Sequence, residues 1–249
     1  MYYKLIGCKV LEREISSVVY NCRNVIDVTL LRQKLHNTPG KLKEALQEEI
    51  DLIDENDHRF SNDTIDHDYD AILIGYGLCA NAVVGLRSKK YPLVIPRAHD
   101  CVTLIMGDKN SYDSYHKNNP GSFFYWPGML ELRGLDEQEN YNRKYQMYLD
   151  RYDGDEDHVR MIMEIEAELT VNYDGITYIR WETLAFPEYE TAAQKLADEK
   201  CWEYRNLEGS NILLKKLVDG DWKDDSFLIV HPGHTAEPSY DAGIIKETP

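Results

Sequence analysis

The sequence predicts an α/β fold, an open and mostly parallel sheet flanked by helices, and three observations predict it. Short apolar runs alternate with helical spacing through the first hundred residues, the βαβα order from which parallel sheets are built. Two of those runs, Tyr69-Asp-Ala-Ile-Leu-Ile-Gly75 and Tyr91-Pro-Leu-Val-Ile-Pro96, are apolar without alternation. Strands covered on both faces require that composition. The second half carries more helical pattern than strand.

Residues 2–7 read as a strand, 10–19 as a helix and 25–30 as a second strand. Pro39 stands at a helix start, where its missing N–H costs nothing. Leu42, Leu46, Glu49, Ile50 and Ile53 follow at helical spacing. A polar loop rich in Asp, Asn and His covers 54–68, and the strands at 69–75 and 91–96 come next. Helices are predicted over 111–117, 136–152, 155–171 and 188–200, and strands over 176–181 and 227–230. Tyr173-Asp-Gly-Ile turns into the first of these strands. A short helix at 211–218 precedes the Asp219-Gly-Asp-Trp222 turn. No repeat or low-complexity linker interrupts the chain. It reads as one elaborated domain over 1–249, or two lobes, 1–130 and 131–249, sharing one sheet.

Charge narrows the function. The chain of 249 residues carries 28 basic and 44 acidic side chains, a formal charge of −16. That field repels phosphate backbones, so nucleic acid is not an expected partner. The acid is concentrated in 136–168, as the solvated faces of two helices. No run approaches the roughly 18–20 apolar residues that cross a bilayer, and no membrane association is expected. The first residues run straight into a strand without a signal-peptide pattern, and a cytoplasmic location is expected.

Five cysteines stand at 8, 22, 79, 101 and 201, with no Cys-x-x-Cys pair. Disulfides are not expected in a cytosolic chain, where clustered thiols mean metal binding or catalysis. Cys8 follows the first predicted strand, Cys79 the strand at 69–75, and Cys101 the strand at 91–96. Ligands of open parallel sheets bind outside the carboxyl ends of the strands, so these three thiols are expected to share a crevice. Gly75-Tyr-Gly77 permits a tight turn ahead of Cys79, and Arg97-Ala-His99-Asp100-Cys101 supplies cation, base and acid within five residues. Tyr76 and Asn81 flank Cys79 and are candidates to orient a ligand.

Three thiolates hold zinc, with His99 as fourth ligand or general acid/base, or hold a [4Fe–4S] cluster with one iron open. Arg97 would bind an anionic substrate group. A metal-free thiol nucleophile assisted by His99 is the alternative, and cysteine also packs as a small apolar residue at strand ends. Cys22 and Cys201 sit in or beside helical patterns and read as structural. Glu12-Arg13-Glu14 follows Cys8 and either lines the crevice or is a solvated turn. His36 reads as a loop histidine, and His116 and His158 as solvated. Phe123-Phe-Tyr-Trp-Pro-Gly128 is core or a pocket wall. His231-Pro-Gly-His234 reaches the crevice if its strand joins the same sheet. No dinucleotide fingerprint or Walker loop is present.

Ile74-Gly-Tyr-Gly-Leu-Cys-Ala-Asn81, Val84-Gly-Leu86 and Pro92-Leu-Val-Ile-Pro-Arg-Ala-His-Asp-Cys101 together resemble the domain of unknown function 1638 family. Leu35-His36 ahead of Pro39, Tyr125 with Pro127-Gly128, Gly220-Asp-Trp222 and Pro232-Gly-His234 extend the resemblance over nearly the whole chain. Ala80 and Ala82 depart from it, standing where glycine is usual. The resemblance implies cysteines matching Cys8, Cys79 and Cys101, together with Arg97, His99 and Asp100. It also implies an association with corrinoid-dependent methyltransferase systems. The reading that follows is a metal-dependent protein of one-carbon or corrinoid-linked metabolism, a transferase or lyase acting on a small molecule. A non-catalytic accessory that binds a corrinoid, a corrinoid protein or a methyltransferase is the alternative.

Overall fold

The computed structural model describes residues 1–33, 35, 38–55, 68–239, 241 and 243–249. His36 and the interior of the predicted 54–68 loop lie outside the described residues. In chain order the elements are β1 (Tyr2–Cys8), a 3₁₀ turn (Lys9–Leu11), α1 (Glu12–Tyr20), β2 (Val25–Leu31), α2 (Pro39–Asp54), β3 (Ala71–Gly75), β4 (Leu93–Pro96) and α3 (Cys101–Met106). Then come α4 (Lys109–Asn118), β5 (Ser122–Tyr125), α5 (Pro127–Arg133), α6 (Glu137–Arg151), α7 (Glu156–Glu168), β6 (Gly175–Arg180), α8 (Pro187–Lys200) and β7 (Glu203–Glu208). The chain closes with α9 (Ile212–Asp219), β8 (Phe227–Val230), β9 (Thr235–Pro238) and β10 (Ile245–Thr248).

The α/β class with a mostly parallel sheet is as the sequence predicts. The chain forms two compact units, Met1–Asp113 with Gly209–Pro249, and Ser114–Glu208. Each unit has its own main sheet. The C-terminal segment returns to the first unit, where β8 pairs with β4 and α9 packs on α1, β3 and β4.

In the first unit the sheet order is β2-β1-β3-β4-β8. β1 pairs in parallel with both β2 and β3, β3 pairs in parallel with β4, and β8 alone runs antiparallel. Leu5, Ile6, Ile72, Leu73, Ile74, Leu93, Val94 and Ile95 are fully buried, which accounts for the lack of alternation. α2 buries Leu42, Leu46, Ile50 and Ile53, one face at helical spacing, with Pro39 in its first turn. From β1 the chain moves outward to β2, then crosses back over β1 to β3. The β1/β3 boundary is thus a topological switch point, where diverging connections leave a crevice at the carboxyl ends.

The second unit has a parallel sheet of order β5-β6-β7 around a core of Tyr125, Leu130, Ile176, Tyr178 and Leu196. Asp136 and Asp155 cap α6 and α7 by accepting from the N–H groups of Glu139 and His158. β7 was absent from the sequence reading because an edge strand needs little apolar surface, and Glu-Tyr-Arg-Asn-Leu-Glu supplies little. α3 is six residues long, too short to display a period.

β9 and β10 form a hairpin tied down at both ends. Arg97 donates from Nη1 to the Gly243 and Ile245 carbonyls and from Nε to Phe227 O at 3.3 Å. Glu247 accepts from the His231 N–H at 2.7 Å and lies 2.9 Å from Nδ1 of both His231 and His234. β8 does join the sheet, yet its direction takes these histidines away from the crevice. Val230 pairs with Leu93 at the amino end of β4, so His231 emerges at the opposite sheet edge.

Burial pushes the Glu247 carboxyl up, but the His231 N–H and ring and the nearby His234 outweigh it, leaving its pKa below the usual range. A depressed folded pKa contributes stability above the unfolded value, about 4.3, and loses it as pH falls through the folded value. Glu247→Gln is therefore expected to destabilise the protein by less than about 1 kcal/mol near neutrality. That difference should vanish in urea melts well below pH 4.3 or so; a gap independent of pH would contradict the assignment.

Candidate functional site

The crevice at the β1/β3 switch point contains a cavity of about 20 Å³ lined by Cys8, Cys79, Cys101, Tyr76, Arg32 and neighbouring apolar groups. That volume holds about one water-sized particle. Cys8 is the last residue of β1, and Cys101 is the first of α3. Asp100 caps α3: its Oδ1 accepts from the Thr103 N–H at 3.1 Å, and its Oδ2 from the Tyr112 hydroxyl at 3.1 Å.

Cys79 reaches the same cavity because the loop after β3 is zipped to the loop after β4. The N–H of Leu78 donates to Ala98 O at 2.7 Å, and that of Cys79 to His99 O at 3.2 Å. This approach needs Gly77, where an added Cβ would lie 2.8 Å from the Asp100 N, Cα and O atoms. The next three residues are left-handed, with φ of +44° at Cys79, +56° at Ala80 and +68° at Asn81. The Ala82 N–H closes this turn on Leu78 O at 3.0 Å. Left-handed backbone costs a non-glycine residue roughly 1–2 kcal/mol, and such strain persists only where the surroundings impose it.

Electrostatics couple the three sulfurs. Burial pushes the Cys8 thiol up, partly opposed by the Val10 N–H and the Tyr76 hydroxyl. Cys79 is pushed up to about 12, by burial first and then by the charges of Cys8 and Asp100. Cys101 stands well above its ordinary value through burial, then Cys79, Asp100 and Cys8. Burial also pushes Tyr76 up, with Cys8 and Cys79 adding to it, and its hydroxyl donates to Gly7 O at 3.3 Å. Three neutral thiols therefore share one small cavity.

The remaining candidates are placed elsewhere. His99 is exposed, its ring centroid 6.4 Å from that of Tyr112, and it does not line the cavity. Arg97 donates to the C-terminal hairpin and does not line the cavity. Asp100 acts through its cap, and Asn81 is exposed in the left-handed turn. Of the Glu12-Arg13-Glu14 segment, Glu12 pairs with Lys9 at 2.5 Å and Glu14 is buried. The Cys22 thiol donates to Val218 O at 3.1 Å. Cys201 is exposed at the end of α8, and His116 and His158 are exposed. Arg32 was missed. As the first residue after β2, it satisfies the same strand-end rule that selected the cysteines.

Among the described residues, no three His, Cys, Asp or Glu side chains stand arranged to hold a metal ion. Nor is any helix among them long and apolar enough to cross a membrane. A family model described as "Protein of unknown function (DUF1638)" matches residues 30–218, about three quarters of the chain. The matched span includes Arg32, Tyr76, Cys79 and Cys101 and begins after Cys8. No curated protein and no solved structure matches the chain.

Two substitutions test the construction of the loop. Gly77→Ala drives a methyl into the Asp100 backbone and is expected to cost about 2–3 kcal/mol. Ala80→Gly relieves one left-handed residue and should stabilise the fold by up to about 1 kcal/mol. Urea unfolding of both variants measures the pair, and opposite signs are the required outcome.

Proposed function

The chain belongs to that family of unknown function, and from this premise we propose that its first unit binds one zinc ion through Cys8, Cys79 and Cys101. The observation that carries the reading is the convergence of three coupled thiols on one cavity. Charge on Cys8 opposes ionisation of Cys79, and charge on both opposes that of Cys101, a conflict that a soft divalent cation reverses. A volume of about 20 Å³ favours a single ion over a four-iron cluster. The sulfurs must draw closer to bind it, since no three donors stand ready.

The metal-free nucleophile fits less well. A reactive cysteine needs a lowered pKa, whereas all three here are raised and His99 lies outside the lining. Cys8, Cys79 and Cys101 would hold the ion, which would supply Lewis acidity to a substrate in the cavity. Tyr76 lies beside Cys8 and steadies that sulfur through its hydroxyl. Arg32 lines the cavity and offers its guanidinium to an anionic group of the substrate. The arrangement suits a metal-dependent transferase or lyase acting on a small anionic molecule. The link to one-carbon or corrinoid-linked metabolism, with a corrinoid protein or methyltransferase as partner, rests on family resemblance alone.

The protein purified without oxygen and supplied with zinc is expected to retain about one ion per chain after dialysis. Because the thiols are protonated, loading should release about three protons near neutral pH, and apparent affinity should rise with pH. Cys79→Ser should lose the ion while keeping its far-ultraviolet circular dichroism. Full retention in that folded variant, or no zinc uptake by the unsubstituted protein, would sink the reading.

A further inference from the structure

The second unit contains a cavity of about 170 Å³ that plays no part in the cysteine chemistry. One wall is aromatic: Phe123 and Tyr125 alternate along β5 and so share a face, their ring centroids 5.1 Å apart, and Trp202 precedes β7. The other side is basic, with Arg133 from the last turn of α5, Lys144 from α6 and Lys200 ending α8. The cations lie over the aromatic faces, Arg133 5.6 Å from the Tyr125 centroid and Lys200 5.4 Å from that of Trp202.

The charge balance is unusual for this chain. Three cations line the cavity against one carboxylate, Glu137, although the protein as a whole carries −16. Glu137 pairs with both Arg133 and Lys200, the latter at 3.3 Å, and so marks where an anionic group is held. Lys144 pairs with Glu166 at 3.0 Å. These are not loose surface pairs, since the side chain of Arg133 is 11% exposed and those of Lys144 and Lys200 are 32% and 33% exposed. Burial keeps Lys200 below its usual range, and the charges of Arg133 and Lys144 add to the shift against the opposing charge of Glu199. The cations therefore still repel one another in the presence of Glu137, and a second anion would relieve them.

We propose that this cavity binds a small one-ring aromatic anion, its carboxylate or phosphate held by Arg133, Lys144 and Lys200 and its ring set against Phe123, Tyr125 and Trp202. A cavity of about 170 Å³ has room for one aromatic ring, since an apolar cavity of roughly 150 Å³ admits benzene. The anion joins Glu137, which pairs with Arg133 and Lys200, and Glu166, which pairs with Lys144, in offsetting the three cations, and the aromatic wall excludes water from the ring.

The test is a titration of the full-length protein by tryptophan fluorescence with phenyl phosphate, benzoate, inorganic phosphate and neutral benzyl alcohol. Saturable quenching by phenyl phosphate or benzoate below about 10 mM is expected, absent in Trp202→Phe. Benzyl alcohol and inorganic phosphate should bind at least about tenfold more weakly. Lys144→Met and Lys200→Met should each weaken binding about tenfold or more, a charged hydrogen bond being lost. Glu137→Gln, which removes the competing carboxylate, should tighten it, a gain that a merely structural salt bridge would not give. The proposal is overturned if no probe saturates, if benzyl alcohol or inorganic phosphate binds as well as phenyl phosphate, or if both folded lysine variants bind unchanged.

Discussion

β1, β3 and β4 run parallel, and every feature of the cysteine cavity depends on that alignment. Parallel strands deliver their carboxyl ends to one edge, and the outward step to β2 followed by the return to β3 opens the crevice there. Cys8 needs no further device, because it ends β1. Cys79 and Cys101 lie farther from their strands and need the two backbone hydrogen bonds between the loops after β3 and β4. Gly77 is the steric condition for those bonds. The Asp100 cap then fixes where α3 begins, and with it the position of Cys101.

The left-handed run at Cys79, Ala80 and Asn81 follows from the same constraint. With the preceding residues pinned to Ala98 and His99, the chain must turn away at once, and the closing bond from Ala82 to Leu78 holds it in a conformation that only glycine adopts freely. The fully buried strands supply the rigidity that sustains this strain. A looser sheet would let the turn relax and carry the Cys79 sulfur out of the cavity.

Much of this was legible in the sequence. The unalternated apolar runs at 69–75 and 91–96 identified parallel strands buried on both faces, and the strand-end rule placed three cysteines at one edge. Side-chain direction was not legible. His99 and Cys101 are two residues apart, yet His99 is exposed while Cys101 opens α3 and lines the cavity. Arg97 looked available because β9 and β10, each four residues of mixed polarity, gave no sign of the carbonyls that engage it. His231 and His234 depended on strand direction, which four apolar residues of β8 do not encode. The separate sheet of the second unit was hidden for a similar reason, since β7 is a polar edge.

The two cavities resolve the chain's acidic excess in opposite ways. In the first unit burial keeps three thiols neutral, so the site adds no negative charge of its own. In the second, three of the 28 basic side chains are drawn from three different helices onto one aromatic wall, where partial burial strengthens their field. Bulk charge therefore predicts the behaviour of the surface, while each cavity sets its own electrostatics through burial. The ion proposed for the first cavity and the anion proposed for the second differ as the cavities do, about 20 Å³ against about 170 Å³, because volume and charge select together in each.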